Sequence, residues 1–162
     1  MYKKSFVFMF SLLVASCASV SAIPPGYSGP VATVQETAIR VDSGKAKMFY
    51  LEKIDGTYMR DNSASKSFRA SYGNGNNLSI IDSPYSIAAE EHIYTIVGSH
   101  VWAMDGRAIL EADLGVEGDV KFKPEAGRTY EINGSLSKEV SHVWIKEAET
   151  GEIIAEFKNT DS

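Results

Sequence analysis

A repeated tetrapeptide holds the residues of this chain that are best suited to binding chemistry. The sequence Ser-His-Val-Trp occurs twice, ending at Trp102 and at Trp144. Residues two apart in a β-strand share a face, so His100 lies beside Trp102 and His142 lies beside Trp144. If the two strands are neighbours, the four side chains form one aromatic face that binds a small ligand.

Histidine is also the most common metal ligand in proteins, and His92 is a third candidate beside His100 and His142. A divalent-metal or pH-responsive site is therefore one interpretation of the repeat. The other is that each His–Trp pair packs and hydrogen-bonds locally, which is favoured because no HxH or HxxxH spacing occurs. We assign a ligand-binding face to the four repeat residues, and we assign no metal and no cofactor.

Three further patterns are not specific enough to carry an activity. Residues 72–77, Tyr-Gly-Asn-Gly-Asn-Asn, lack the third glycine and the lysine of a phosphate-binding loop. The acids Asp113, Glu117 and Asp119 lie near glycines but lack the spacing of a calcium-binding loop. No Gly-x-Ser-x-Gly motif occurs, and the single cysteine, Cys17, precedes the domain. We therefore predict that the protein is not an enzyme.

The elements that position these residues are β-strands. A β-forming run ends at Asp55 and Gly56 and a second follows, which is the strongest short-range signal for a hairpin. Asp105 and Gly106 give a second hairpin signal, and Gly98 indicates either a bulge or a close backbone approach within the longest run. The runs cover residues 46–54, 78–81, 92–102, 107–112, 119–123, 129–132, 140–145 and 152–157.

About eight or nine short strands with regularly spaced turns predict a mainly β fold, an antiparallel β-sandwich with immunoglobulin-like or related topology. The polar segment 63–77 is the exception. Its first half is predicted to be a short helix or irregular strand, and its second half a loop, because glycine and asparagine favour turns. Residues 88–92 could form one helical turn at most.

The N-terminus has the three parts of an export signal: two lysines, an apolar run over residues 5–15 and then small residues. That run is too short to span a bilayer as a helix. Val14-Ala15-Ser16-Cys17 resembles the lipobox of bacterial lipoproteins, which implies cleavage before Cys17 and lipidation of its thiol. An ordinary signal-peptidase site after residues 20–22 is the alternative.

The chain from residue 46 onward resembles uncharacterised envelope lipoproteins of proteobacteria, in which a lipobox and a tether precede an antiparallel β domain. The resemblance implies no activity. It is carried by Met48-Phe49-Tyr50, Tyr94-Thr95-Ile96-Val97, Gly127, Tyr130, Val143-Trp144-Ile145 and Thr150-Gly151. The expected organisation is a signal peptide over 1–16 (alternatively 1–22), a flexible tether over 17–30 and one β-sandwich domain over 31–162.

The net charge limits the partners that we expect for this protein. The formal net charge is −5, and no basic stripe offsets it, so nucleic acid is excluded as a partner. We predict a non-catalytic cell-envelope accessory protein, anchored in the outer membrane through a lipid on Cys17, facing the periplasm and binding another envelope protein or component. The alternative is a soluble periplasmic or secreted protein that binds a small ligand or a metal through the His–Trp face.

Overall fold

The computed structural model describes residues 22–82, 84–103 and 114–160. Within them the chain forms nine strands and one helix. Their bounds are β1 Val31–Asp42, β2 Lys45–Ile54, β3 Thr57–Tyr58, α1 Ser63–Ser71, β4 Tyr85–Ala88, β5 His92–Trp102, β6 Val116–Phe122, β7 Thr129–Ser135, β8 Val140–Glu147 and β9 Ile153–Thr160.

The nine strands join in one mixed sheet. Its main path runs β6-β5-β2-β1-β7-β8-β9, while β3 pairs with β2 and β4 pairs with β1. Neighbouring strands are antiparallel except for β1 and β7, which are parallel. The long strand β1 connects the two halves of the sheet, because its first half pairs with β4 and β7 and its second half pairs with β2.

The sheet curls into a nearly closed barrel whose two edge strands, β6 and β9, approach one another. The ring of Phe157 on β9 lies so close to the backbone of Gly118 on β6 that a methyl group at Gly118 would overlap it. Packing of this ring, rather than a ladder of backbone hydrogen bonds, therefore brings the two edges together.

The barrel interior is filled by the apolar side chains that alternate along the strands, as expected for strands with one buried face. Phe49 of β2 is fully buried, and its ring crosses two glycines. A Cβ atom at Gly98 would lie 2.9 Å from the ring, and one at Gly134 would lie 2.5 Å from it. The pairing of β5 with β2 and β6 is unbroken at Gly98, so this glycine marks a close approach and not a bulge.

Helix α1 covers the outer face of β2 and β5 with a second apolar cluster, which includes Met48, Ala64 and Leu78. The helix begins at the Asn62 cap, whose side-chain oxygen accepts a hydrogen bond from the Ser65 N–H at 2.9 Å. Such a cap satisfies one of the backbone donors that the first turn leaves open.

The strand expected over residues 78–81 is wrong. Its backbone donors bond elsewhere: the Ser79 N–H donates to the Ser71 hydroxyl and the Ile81 N–H donates to the Ser67 hydroxyl, both at 2.8 Å. Because two helix serines take these donors, the segment lies along α1 and pairs with no strand. Both serines are fully buried, which explains the polar composition of this helix.

The prediction of a mainly β fold is confirmed, as are the hairpin at Asp55 and Gly56, and the helix followed by a loop in residues 63–77. The immunoglobulin-like sandwich is not confirmed. Its two sheets would be separate, whereas β1 belongs to both halves of a single sheet that includes a parallel pair.

The helical turn over 88–92 is also absent from the described chain, because residue 88 ends β4. The second hairpin signal and the strand expected over 107–112 lie outside the described residues.

Across these same ranges, no helix combines the length and the apolar character needed to traverse a bilayer.

Candidate functional site

The first His–Trp pair lies near one end of the barrel. His100 and Trp102 are on β5, and their ring centroids are 5.5 Å apart in an edge arrangement. Trp102 is buried, and the ammonium group of Lys45 lies 5.1 Å from the centre of its ring. This geometry is a local cation–π and aromatic contact.

The second pair lies on the outside of the barrel. Val143 and Ile145 of β8 are in the core, so the alternating residues His142 and Trp144 point away from it. His142 Nε2 lies 2.9 Å from a carboxylate oxygen of Glu156 on the neighbouring strand. The side chains of the pair thus pack on one another and on β9.

The structure does not bring the two pairs together. Strands β5 and β8 are separated in the sheet by β2, β1 and β7. Neither pair borders either of the two cavities described below. The one aromatic face expected from the repeat is therefore not formed.

The remaining sequence candidates have ordinary structural partners or lie outside the described residues. Glu117 forms an ion pair with Lys53 at 3.0 Å, and Asp119 accepts a hydrogen bond from Thr95 at 2.7 Å. Cys17 and Asp113 lie outside the described residues. Within the described ranges, no group of three or more histidine, cysteine or acidic side chains is placed to hold a metal ion.

The structure instead shows a cavity at the other end of the barrel, with a volume of about 490 Å³. We call it the end cavity. Its walls come from the N-terminal segment, the β2–β3 hairpin, β4 and the start of β5. The lining residues are Ala22, Ile23, Pro24, Pro25, Ile54, Asp55, Thr57, Tyr58, Met59, Arg60, Asp61, Ala88, His92 and Tyr94.

A tight turn supplies one wall of the end cavity. Asp55 and Gly56 both have positive φ, 48° and 76°. Two-residue hairpin turns of this kind require positive φ at both central positions, which aspartate followed by glycine tolerates well. The turn returns the chain so that Thr57 and Tyr58 pair back onto β2.

The Asp55 carboxylate fastens this turn to the start of β5. One oxygen lies 2.6 Å from His92 Nδ1, and the other accepts the Ile93 N–H at 2.9 Å. These two contacts hold the pKa of Asp55 below its ordinary value, the backbone bond from Ile93 being the larger cause and the bond with His92 the next. His92 is thereby held in one orientation against the cavity.

Tyr94 follows on the same face of β5 and closes the inner side of the cavity. It is 1 % exposed, and its hydroxyl has no hydrogen-bond partner in the described part of the chain. Burial, and secondarily the charge of Asp55, raises the pKa of this hydroxyl, so it remains protonated at neutral pH. Its ring meets the His92 ring edge-on at a centroid distance of 6.2 Å. A buried hydroxyl without a partner is costly, and the residue that carries it lines the end cavity.

A second cavity, of about 340 Å³, lies beside the buried carboxylate of Glu36. This carboxylate accepts hydrogen bonds from the Leu51 N–H at 2.9 Å, the Ser63 N–H at 2.5 Å and the Tyr85 hydroxyl at 2.9 Å. Burial raises the pKa of Glu36 although these bonds oppose the shift. Glu36 thus ties β1 to β2, α1 and β4, which is a structural role.

Sequence reasoning missed most of these residues. The sequence indicates His92 only as a third candidate metal ligand, and Asp55 only as a turn residue. A signal existed for Glu36, because it occupies an inward position two residues after the buried Val34. The unpartnered Tyr94 hydroxyl had no signal in the sequence, since its state depends on the surrounding elements.

Comparison of this chain with protein-family models, with curated proteins and with solved structures finds no match.

Proposed function

We propose that this protein is a non-catalytic binding protein of the cell envelope, and that its barrel takes one small, mainly apolar molecule in the end cavity. The observation that carries the proposal is the Tyr94 hydroxyl, which is buried beside the cavity and has no partner in the described residues.

The shape and lining of the cavity support this proposal. Small-molecule sites have volumes of roughly 300–1,000 Å³ and are lined by apolar side chains with a few placed polar groups. The end cavity, at about 490 Å³, has this character. Ile54, Met59 and Ala88 supply apolar surface, while His92 and Tyr94 supply polar groups at one side.

The polar groups favour binding over catalysis. The His92–Asp55 pair resembles the base and orienting acid of a hydrolytic site, which needs a nucleophile within hydrogen-bond reach of the histidine. Among the described residues that line the cavity there is no serine and no cysteine, and no hydrogen bond joins the Thr57 hydroxyl to His92. His92 and Asp55 are therefore assigned to shaping and hydrogen bonding the ligand.

We also propose that the protein lies in the cell envelope, because its N-terminal sequence resembles an export signal. The lipobox-like residues before Cys17 support a lipid anchor, and the soluble form cut after residue 22 is the alternative. Residues 22–25 of the expected tether line the end cavity. In the anchored form, the ligand site would thus lie within a few residues of the membrane attachment.

A second candidate function is protein binding through the loop after α1. Tyr72 is 89 % exposed, and Phe68, one helical turn earlier, is 40 % exposed. Exposed aromatic side chains are enriched at protein interfaces. A photo-crosslinking residue at position 72 should capture one envelope protein in cells, and the same residue at Asn159 should not. Capture of the same neighbours from both positions would contradict this second function.

A fluorescence titration tests the main proposal. N-phenyl-1-naphthylamine is a neutral apolar dye that brightens when it leaves water, and we expect it to bind the protein at one site. Thr57→Trp places a bulky ring in the cavity from an exposed position and should abolish binding. Asn76→Trp adds the same ring to an exposed loop position and should leave binding unchanged. Equal binding by both variants would refute the proposal.

A further inference from the structure

The acidic groups that border the end cavity are already paired within the protein. Both carboxylate oxygens of Asp55 are taken, one by His92 and one by the Ile93 N–H. Asp61 forms an ion pair with Arg69. A positively charged ligand group would therefore share either acid with the internal partner that it already has.

The hydrogen-bond donors at the cavity, in contrast to the acids, include two groups that have no internal partner. Arg60 borders the cavity from an exposed position, and its guanidinium makes no hydrogen bond or ion pair with any residue in the three described ranges. The Tyr94 hydroxyl is also unpartnered there, and it remains protonated at neutral pH. The cavity thus offers hydrogen-bond donors without an internal partner, one of them a cation, whereas both of its acids already have internal partners.

We propose that the ligand is an anionic amphiphile, a molecule with an apolar body and one carboxylate, as in a fatty or aromatic acid. Its carboxylate binds Arg60, and its body packs against Ile54, Met59 and Pro25. A guanidinium group suits this role because its planar donors match the two oxygens of a carboxylate. This inference rests on the proposed function, which supplies the site, and adds the charge of the ligand.

The same contacts disfavour the opposite charge. An ammonium group at the cavity would meet the positive charge of Arg60 and acids that already have internal partners. A neutral alcohol would fill the apolar part of the cavity but would form no ion pair with Arg60. The order of affinity is therefore carboxylate first, alcohol second and amine last.

Calorimetric titration of the protein, in the form that the cell processes, tests this order with decanoate, decanol and decylamine at neutral pH. Arg60→Gln should weaken decanoate binding about tenfold, the loss of one charge-assisted hydrogen-bonded pair, and leave decanol binding unchanged. Lys138→Gln removes an equal charge from an exposed position in the β7–β8 turn and should leave all three affinities unchanged.

The outcomes separate the two proposals. Equal affinity for decanoate and decanol, unchanged in Arg60→Gln, would overturn the anionic ligand while the cavity remains a binding site. Tightest binding of decylamine would overturn it as well. Failure of all three compounds to bind, together with failure of the neutral dye, would overturn the proposed function itself.

Discussion

Asp55 and His92 are 37 residues apart in the chain, yet the Asp55 carboxylate lies 2.6 Å from His92 Nδ1. The pair joins the β2–β3 turn to the first residue of β5 at the rim of the end cavity. One side chain thereby shapes a turn and orients a binding group. The pair links the stability of the fold to the geometry of the site, so both should respond when it is altered.

Asp55→Asn should remove a contribution to the free energy of unfolding that is present at neutral pH and lost in acid. The pKa of Asp55 is lowered in the folded protein below its ordinary value of 3.8, so its charged form stabilises the fold above that pH. This contribution is lost as the pH falls through and below about 4. The difference in unfolding free energy between the wild type and Asp55→Asn should shrink over that range, as measured by urea denaturation. Asp82→Asn, an exposed control, should show no such change.

Glu36→Gln should show the opposite pH dependence. Burial raises the pKa of Glu36 above its ordinary value of 4.5, so ionisation of the buried carboxyl costs stability as the pH rises. The wild type should therefore lose stability relative to Glu36→Gln as the pH rises above the ordinary value of 4.5. Denaturation curves at several pH values measure this shift. Glu139→Gln, at an exposed turn, should not produce it; equal slopes for the two variants would contradict our account of Glu36.

The contact of Phe157 with Gly118 should control closure of the barrel. Gly118→Ala places a methyl group in the Phe157 ring and should destabilise the protein by about 1–3 kcal/mol, a typical cost of overpacking. In a Phe157→Ala background, the same substitution should cost much less. Gly115→Ala is the matched control, because its added methyl would meet only Gly98 O at 3.7 Å. Additive effects of the two substitutions would show that the ring does not close the barrel.

Tyr94→Phe should weaken decanoate binding without lowering the stability of the fold. The substitution removes a buried hydroxyl that has no partner in the described residues, and such a group costs about 1–3 kcal/mol. The variant should therefore be at least as stable as the wild type and should bind decanoate more weakly. Thermal melts and titrations on the same samples measure both effects. A less stable variant with unchanged affinity would show that the hydroxyl serves the fold.

Local features of the fold were predictable from the sequence, and long-range ones were not. The hairpin at Asp55 and Gly56 depends on two adjacent residues, so the sequence predicts it correctly. Strand β4 is only 4 residues long and pairs with Val31, more than fifty positions away, so its short run gave no signal. The parallel pairing of β1 with β7 connects residues such as Thr33 and Thr129, and this pairing makes one sheet out of the expected two.

Individual residues of the candidate site could be predicted from the sequence, but their arrangement in space could not. The repeat drew attention to His100 and His142, because identical tetrapeptides suggest a common role. Their strands are not neighbours in the sheet, and no local pattern could show that. The end cavity draws on four separate segments, and the unpaired states of Arg60 and Tyr94 are consequences of how those segments pack.

Methyl and aromatic NMR spectra of the protein, recorded while decanoate is added, test the central claim most directly. We expect the largest shifts at Ile54, Met59 and the rings of His92 and Tyr94, all of which line the end cavity. Signals of Trp102, at the opposite end of the barrel, should stay in place. Shifts centred on Trp102, or none at all at saturating decanoate, would contradict the assignment of the end cavity as the binding site.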